Sequence, residues 1–280
     1  MILIAGGHAD PNLTVLVRRL VQRGVKFCDA RASPASKPDV TIDLLSRHFY
    51  LNDVAIAPAG CFIRHDVFLQ NAVDPLEAET TALNWYQTIR GWTVSQPGIR
   101  LFNRHSNLRE NSKIQNLLLA SDLGLSVPPT VVSTQLLHSE KGPMIRKPVA
   151  GGDYTVLLER EMEKNKASFP YFLQPRLNRP ELRVYLIGPQ LTGFWLEAAD
   201  LDYRRTHDVT IKQAELPAEI GEGMLRLCER LDLDFAAADF MPDKDGILRF
   251  LEINTQPMFA AFDQVADGRL CDAIINYLTE

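Results

Sequence analysis

Residues 234–254 constrain the fold more tightly than any other stretch. Two apolar runs flank Asp243-Lys244-Asp245-Gly246, a string of turn formers, so the stretch reads as a two-stranded hairpin. With a four-residue loop the register pairs Asp239 with Phe250. The two-residue pleat then sets Asp239, Glu252 and Asn254 on one face, opposite a core face of Ala238, Phe240, Leu251 and Ile253. On the first face two carboxylates and an amide converge, with no cation in the flanking strands. Repulsion and desolvation would penalise their burial, and a bound Mg²⁺, which favours carboxylates together with phosphate oxygens, removes that penalty. A solvated face of an ordinary hairpin is the competing reading, and a one-residue slip would scatter the three groups.

Two lysines and several arginines supply the complementary charge. Lys147 ends the run Met144-Ile145-Arg146-Lys147 just before Pro148 and the glycine turn Ala150-Gly151-Gly152-Asp153. There a lysine reaches phosphate oxygens while backbone N–H groups fold over them. Lys113 lies in the polar stretch 109–115 of a helix, where a solvated face is the simpler alternative. Arg183 sits inside the apolar run 182–187, and Arg204-Arg205 follow Asp202-Tyr203. Guanidinium forks stabilise the anionic oxygens of an acyl phosphate, although Glu181 or Glu197 offers Arg183 a structural ion pair.

Ahead of these residues the chain alternates strand and helix. Met1-Ile2-Leu3-Ile4-Ala5 closes on Gly6-Gly7, and Leu13, Leu16, Val17 and Leu20 recur at helical spacing. Short strands are expected at 25–28, 40–42 and 53–57 and a helix over 77–92, a Rossmann-like pattern. Gly6-Gly7 is not the G-x-G-x-x-G dinucleotide signature, so NAD is not expected there. Charged groups in an apolar setting at Phe62-Ile63-Arg64-His65-Asp66 suit a substrate carboxylate, a peptide or a buried ion pair.

Ser95-Gln96-Pro97-Gly98 marks the first boundary. A helix is expected from near Ser106 to Gly124, then strands at 143–147, 154–158, 172–174, 182–187 and 191–196, a helix over 217–231 and a closing helix over 265–278. The expected division is 1–98, 99–178 and 179–280.

The net charge of −5 with both signs interspersed excludes a broad basic surface, so neither nucleic acid nor an anionic membrane is an expected partner. No run reaches the roughly eighteen apolar residues of a membrane span, and the N-terminus lacks signal-peptide character. Cys28, Cys61, Cys228 and Cys271 stand singly, which fits reduced thiols and a cytoplasmic location.

The order of these features resembles the ATP-grasp superfamily. Asn111-Ser112-Lys113 opens a helix that leads to Val127-Pro128-Pro129-Thr130. Then come Ile145-Arg146-Lys147-Pro148, Leu173-Gln174-Pro175, Glu181-Leu182-Arg183-Val184, Asp239 and Leu251-Glu252-Ile253-Asn254. The branch it is most similar to is that of the RimK-like ribosomal-protein glutamate ligases and the related peptide-macrocyclising ligases, over residues 100–280.

The resemblance implies an α+β fold: an N-terminal Rossmann-like α/β lobe, a small central α+β subdomain and a C-terminal α+β subdomain. It implies ATP and Mg²⁺ as cofactors, with two Mg²⁺ ions, replaceable by Mn²⁺, on Asp239, Glu252 and Asn254. Lys113 and Lys147 would contact the ATP phosphates and adenine edge, and the loop carrying Gly151 and Gly152 would close over the phosphates. Backbone around Gln174, Pro175 and Arg176 would hold adenine and Glu181 the ribose, with Arg183 and Arg204 facing the acyl phosphate as catalytic residues. The implied activity is ADP-forming carboxylate–amine ligation on an amino acid, small carboxylate or peptide. A nucleotide-binding regulatory module and an ATP-grasp kinase are the alternatives, and a homo-oligomer is compatible with either. Pro175, where an acidic residue is usual, and the absence of a glycine pair after Arg204-Arg205-Thr206-His207 depart from the branch and bear on substrate choice.

Overall fold

The computed structural model describes residues 1–33, 36–69, 74–106, 111–135, 142–150, 154–158, 167–199 and 208–280. They form two compact units, one of Met1–His105 with Met258–Glu280 and the other of Ser106–Pro257.

The first unit opens with β1 (Ile2–Gly7), α1 (Pro11–Gln22) and β2 (Phe27–Ala32). Next come β3 (Val40–Asp43), β4 (His48–Leu51), β5 (Val54–Ile56), β6 (Gly60–Ile63), α2 (Pro75–Ser95) and β7 (Arg100–Leu101). Its main sheet is parallel in the order β2-β1-β6-β7, as the strand–helix alternation requires. The strands β3-β4-β5 make a separate antiparallel sheet that the short expected strands only partly foreshadow. Phe49 and Leu51 pack with Ile89 and Trp92 of α2 and with Leu3 and Ala5 of β1 in one core cluster.

α1 starts where Asp10 caps it, its carboxylate accepting from the Asn12 N–H at 2.7 Å, with Pro11 at the first turn. Leu13, Leu16 and Leu20 form its buried stripe. Asp10 also takes the Arg64 Nε at 2.7 Å, an ion pair with 3% and 0% of the two side chains exposed.

The second unit contains α3 (Lys113–Asp122), β8 (Val131–Ser133), β9 (Met144–Pro148), β10 (Val156–Leu157) and β11 (Tyr171–Pro175). It continues with β12 (Glu181–Ile187), β13 (Gln190–Glu197), β14 (Thr210–Ala214), α4 (Ala218–Arg230), β15 (Phe235–Pro242) and β16 (Leu248–Asn254). One sheet runs β10-β9-β11-β8 and the other β14-β13-β12-β15-β16, both antiparallel throughout. Alternate residues of β12 and β15, among them Leu182, Val184, Leu186, Ala236 and Ala238, meet Ile220, Met224 and Leu227 of α4 in the core. Gly223 lets Leu125 lie flat on α4, where a Cβ would collide with it.

The helix expected from Ser106 instead starts at Lys113, because Ser112 accepts from the Gln115 N–H and caps it there. The single closing helix is two, α5 (Ala260–Val265) and α6 (Arg269–Thr279), broken at Gly268 with φ 83°. Both belong with the first unit, so residues 258–280 do not stay with the expected segment 179–280. Asn12 explains the attachment, since its Oδ1 accepts from the N–H groups of Phe259 and Ala260 at 2.6 and 2.8 Å. Arg19 of α1 adds an ion pair to Asp272 of α6, with Nε to Oδ1 at 2.8 Å.

No described helix is long and apolar enough to cross a membrane. α6 approaches β6 so closely that a Cβ at Gly60 would strike the Leu278 carbonyl. Because that obstacle is backbone, Gly60→Ala is expected to destabilise the protein by about 1–3 kcal/mol, the usual cost of overpacking. A thermal melt followed by circular dichroism measures it, and an unchanged midpoint would contradict this packing.

Candidate active site

Polar side chains gather on the face of the five-stranded sheet away from α4. Arg183 lies directly opposite Asp239 across the β12–β15 ladder, and Asp239 lies opposite Glu252 across β15–β16. Asn254 pairs with Ala237, two residues from Asp239, and so shares its face. The expected register of Asp239 with Phe250 is not the one formed. Phe240 faces Phe250 while Asp239 faces Glu252, which leaves Leu251 as the extra residue of a β-bulge. The bulge lets Phe250 enter the core against Phe240, ring centroids 5.6 Å apart, while Glu252 keeps its place beside Asp239. Phe250 therefore takes the core place expected of Leu251.

The carboxylates are not without cations, which corrects a second expectation. Arg183 donates from Nε to Asp239 Oδ1 at 2.6 Å and from Nη2 to Oδ2 at 2.8 Å, a fork with two parallel bonds. An arginine at matching parity in the next strand was the signal, and only the pairing of β12 with β15 reveals it. Lys113 Nζ lies 2.9 Å from Glu252 Oε2, each side chain a quarter exposed. Lys147, on β9 opposite Phe172, joins the same electrostatic group as Lys113, Glu181, Asp239 and Glu252.

Burial and charge set the protonation tendencies here. Burial lowers the Lys147 ammonium from its usual range, against the pull of Glu252. Burial raises Asp239, and Arg183 only partly offsets it. Burial also works against the Glu252 carboxylate, but Lys113 and Lys147 together outweigh it and hold the group low. Glu181 is pushed up to about 7, by burial first and then by the charge of Asp239. Arg179, which sequence reasoning missed, donates to Glu181 at 3.0 Å.

The remaining expected residues fall as follows. Gln174 is buried on β11 and donates to the Thr130 hydroxyl at 2.8 Å, so its side chain braces the sheet. Pro175 ends that strand opposite Met144, and the Arg176 N–H donates to the Pro143 carbonyl at 2.8 Å. Asn111, also not anticipated in this role, donates to the Ile253 carbonyl at 2.9 Å and accepts from Asn116 at 2.6 Å, tying the start of α3 to β16. Gly151, Gly152 and Arg204 lie outside the described residues.

Among the described residues no three His, Cys, Asp or Glu side chains form a metal cluster. The hairpin offers two carboxylates and one amide, a set suited to Mg²⁺ that takes its other ligands from phosphate and water. The Arg183 fork uses one lone pair on each Asp239 oxygen and leaves the others for a cation. The raised affinity of Asp239 for protons reports the same demand for positive charge. The residues therefore fit the ion.

Glu181 gives this site a pH signature. With its pKa raised to about 7 in the fold, the folded protein binds the proton more tightly than the unfolded chain does. Stability is then greatest below the usual carboxylate range and falls as pH rises towards 7. In chelator, and without nucleotide, Glu181→Gln is expected to relieve on the order of 1–3 kcal/mol of that decline between pH 5 and 7.5. Urea midpoints of parent and variant at the two pH values measure it, and parallel declines would remove Glu181 as the source.

No family model matches the sequence, and none of the curated proteins compared with it matches. Solved structures do. One is the ATP-grasp ligase PsnB complexed with a phosphomimetic variant of its minimal precursor, Mg and ADP. It superposes at TM-score 0.79 with 22% identity, covering 99% of this chain and 98% of that one. The macrocyclase MdnC bound with precursor peptide MdnA, from Microcystis aeruginosa MRC, gives 0.79 at 18% identity over 100% and 99%. The VanG D-Ala:D-Ser ligase from Enterococcus faecalis gives 0.62 at 15% identity over 99% and 98%. Likeness along the whole chain, at identities this low, is likeness of architecture, and by it the chain has the ATP-grasp fold.

Proposed function

We propose that this protein is an ATP-dependent carboxylate–amine ligase that activates a carboxylate by γ-phosphoryl transfer and releases ADP and phosphate. One observation carries the reading. Asp239, Glu252 and Asn254 share a sheet face with Arg183, and Lys113 and Lys147 belong to the same charged group. Such a set suits the terminal phosphates of a nucleotide, where negative charge must be neutralised and held in line.

Within this reading Asp239, Glu252 and Asn254 would hold Mg²⁺, two ions in the fullest form, with Mn²⁺ as a substitute. The metal would supply Lewis-acid neutralisation of phosphate oxygens. Lys147 lies on a strand, where its partly desolvated ammonium gains most from an incoming phosphate. Lys113 would leave Glu252 for phosphate or share both. Arg183, fixed through Asp239, has a rigid guanidinium that would face an acyl phosphate, and Arg204 is assigned beside it. Gly151 and Gly152 would close over the phosphates, Gln174 to Arg176 would border adenine, and Glu181 would meet the ribose.

A peptide or a small molecule is the proposed substrate, in keeping with the precursor peptides in the PsnB and MdnC complexes. The free cysteines and the demand for ATP fit a cytoplasmic setting.

Supplied with ATP, Mg²⁺, candidate peptides or amino acids and hydroxylamine, the protein is expected to give ADP, phosphate and a hydroxamate. Glu252→Gln should lower turnover at least 100-fold, about 2.7 kcal/mol of barrier, with an unchanged melting profile. Product analysis by mass spectrometry decides the matter. AMP as product, phosphate release independent of any carboxylate, or a fully active variant would overturn the ligase reading.

A further inference from the structure

The first unit contains a cavity of about 290 Å³ at the C-terminal ends of its parallel strands, reached from β1, β2, β6 and α2. In the strand order β2-β1-β6-β7 the chain leaves β1 first to one side and later to the other, and open α/β sheets take ligands at such a switch point. The volume is near the lower edge of the roughly 300–1,000 Å³ of small-molecule pockets. That suits a ligand the size of one large amino acid and is too small for a dinucleotide.

The lining is specific in two ways. Ala5, Ala9, Ala30, Ala32, Ala78 and Ala82 line it with small side chains, while Trp85, Tyr86 and Ile89 present broad apolar surface. Charged and titratable side chains also line it. Lys37 and His8 follow β2 and β1, whereas Asp66 follows β6 and Asp74 and Glu77 open α2. Arg64 also lines the cavity, but its charge is matched by Asp10.

A phosphate ligand is disfavoured. The N-terminus of α1, where a Rossmann-type fold receives phosphate, is capped by the Asp10 carboxylate. The preceding turn packs against a second carboxylate, because a Cβ on Gly7 would collide with Asp66.

We propose that this cavity binds a free amino acid with an aromatic side chain as its zwitterion. The ring lies against the alanines and Trp85, the carboxylate faces Lys37, and the ammonium faces Asp66 and Glu77. The site does not depend on the ligase reading, since nothing in it belongs to the charged face of the second unit.

The test is a titration of the full chain, without nucleotide, by calorimetry and by tryptophan fluorescence excited beyond phenylalanine absorption. L-phenylalanine is expected to bind saturably. L-alanine should bind at least tenfold more weakly, since it forgoes the ring's apolar area. N-acetyl-L-phenylalanine amide, which has the ring but neither charge, should also lose at least tenfold. Ala82→Phe, which fills the cavity from the half-buried side of α2, should abolish binding, and the exposed Lys37→Glu should weaken it without touching the packing. A melting profile confirms that both variants are folded. Absence of saturable binding, equal binding of the blocked amide, or parent-like affinity in Lys37→Glu would each overturn the proposal, and turnover enters none of these readouts.

Discussion

Two carboxylates side by side in a sheet, Asp239 and Glu252, are the constraint to which the second unit answers. Neither could stay ionised there alone, since each adds to the other's cost of burial. Relief comes from three separate elements: Arg183 from the neighbouring strand β12, Lys113 from the start of α3, and Lys147 from β9 in the other sheet. The strand order β13-β12-β15-β16 thus has an electrostatic reason as well as a packing one. Removing Arg183 would strand a buried charge, a loss of about 3–5 kcal/mol where such pairs are broken from one side. The balance still leaves Asp239 short of positive charge, and the proposed metal and phosphate sites would draw on that imbalance.

Much of this was legible in the sequence wherever a residue's type and its periodicity agreed. The hairpin announced itself through Asp243 to Gly246, and the grouping of Asp239, Glu252 and Asn254 followed from a period of two. What failed was the register. A bulge at Leu251 leaves no mark in composition, because Phe250 and Leu251 are both apolar and only the core decides which one enters. Three residues that do share a face were grouped through a pairing that the chain does not make.

Other features were illegible for a different reason, namely that they depend on partners distant in sequence. Arg183 reads as a strand cation with Glu181 or Glu197 as its partner until β15 brings Asp239 opposite it. Glu181 reads as an ion-pair partner for Arg183, and only burial and Asp239 push its pKa up to about 7. The break in the closing helix was at least local, since Asp267-Gly268 places a left-handed residue where a continuous helix would need a right-handed one. The sheet β3-β4-β5 escaped because its strands are three or four residues long and expose much of their surface, so alternation had little length in which to show.

The attachment of residues 258–280 to the first unit also orders events during synthesis. Residues 106–257 are contiguous and carry their own core, so every contact of the second unit is available once Pro257 has left the ribosome. The first unit, although begun earlier, must wait. Asn12 is synthesised near the start of the chain, and its two acceptor bonds reach Phe259 and Ala260 near the end. The unit begun first is therefore completed last, and until residues 258–280 emerge α1 lacks the partners that α5 and α6 supply.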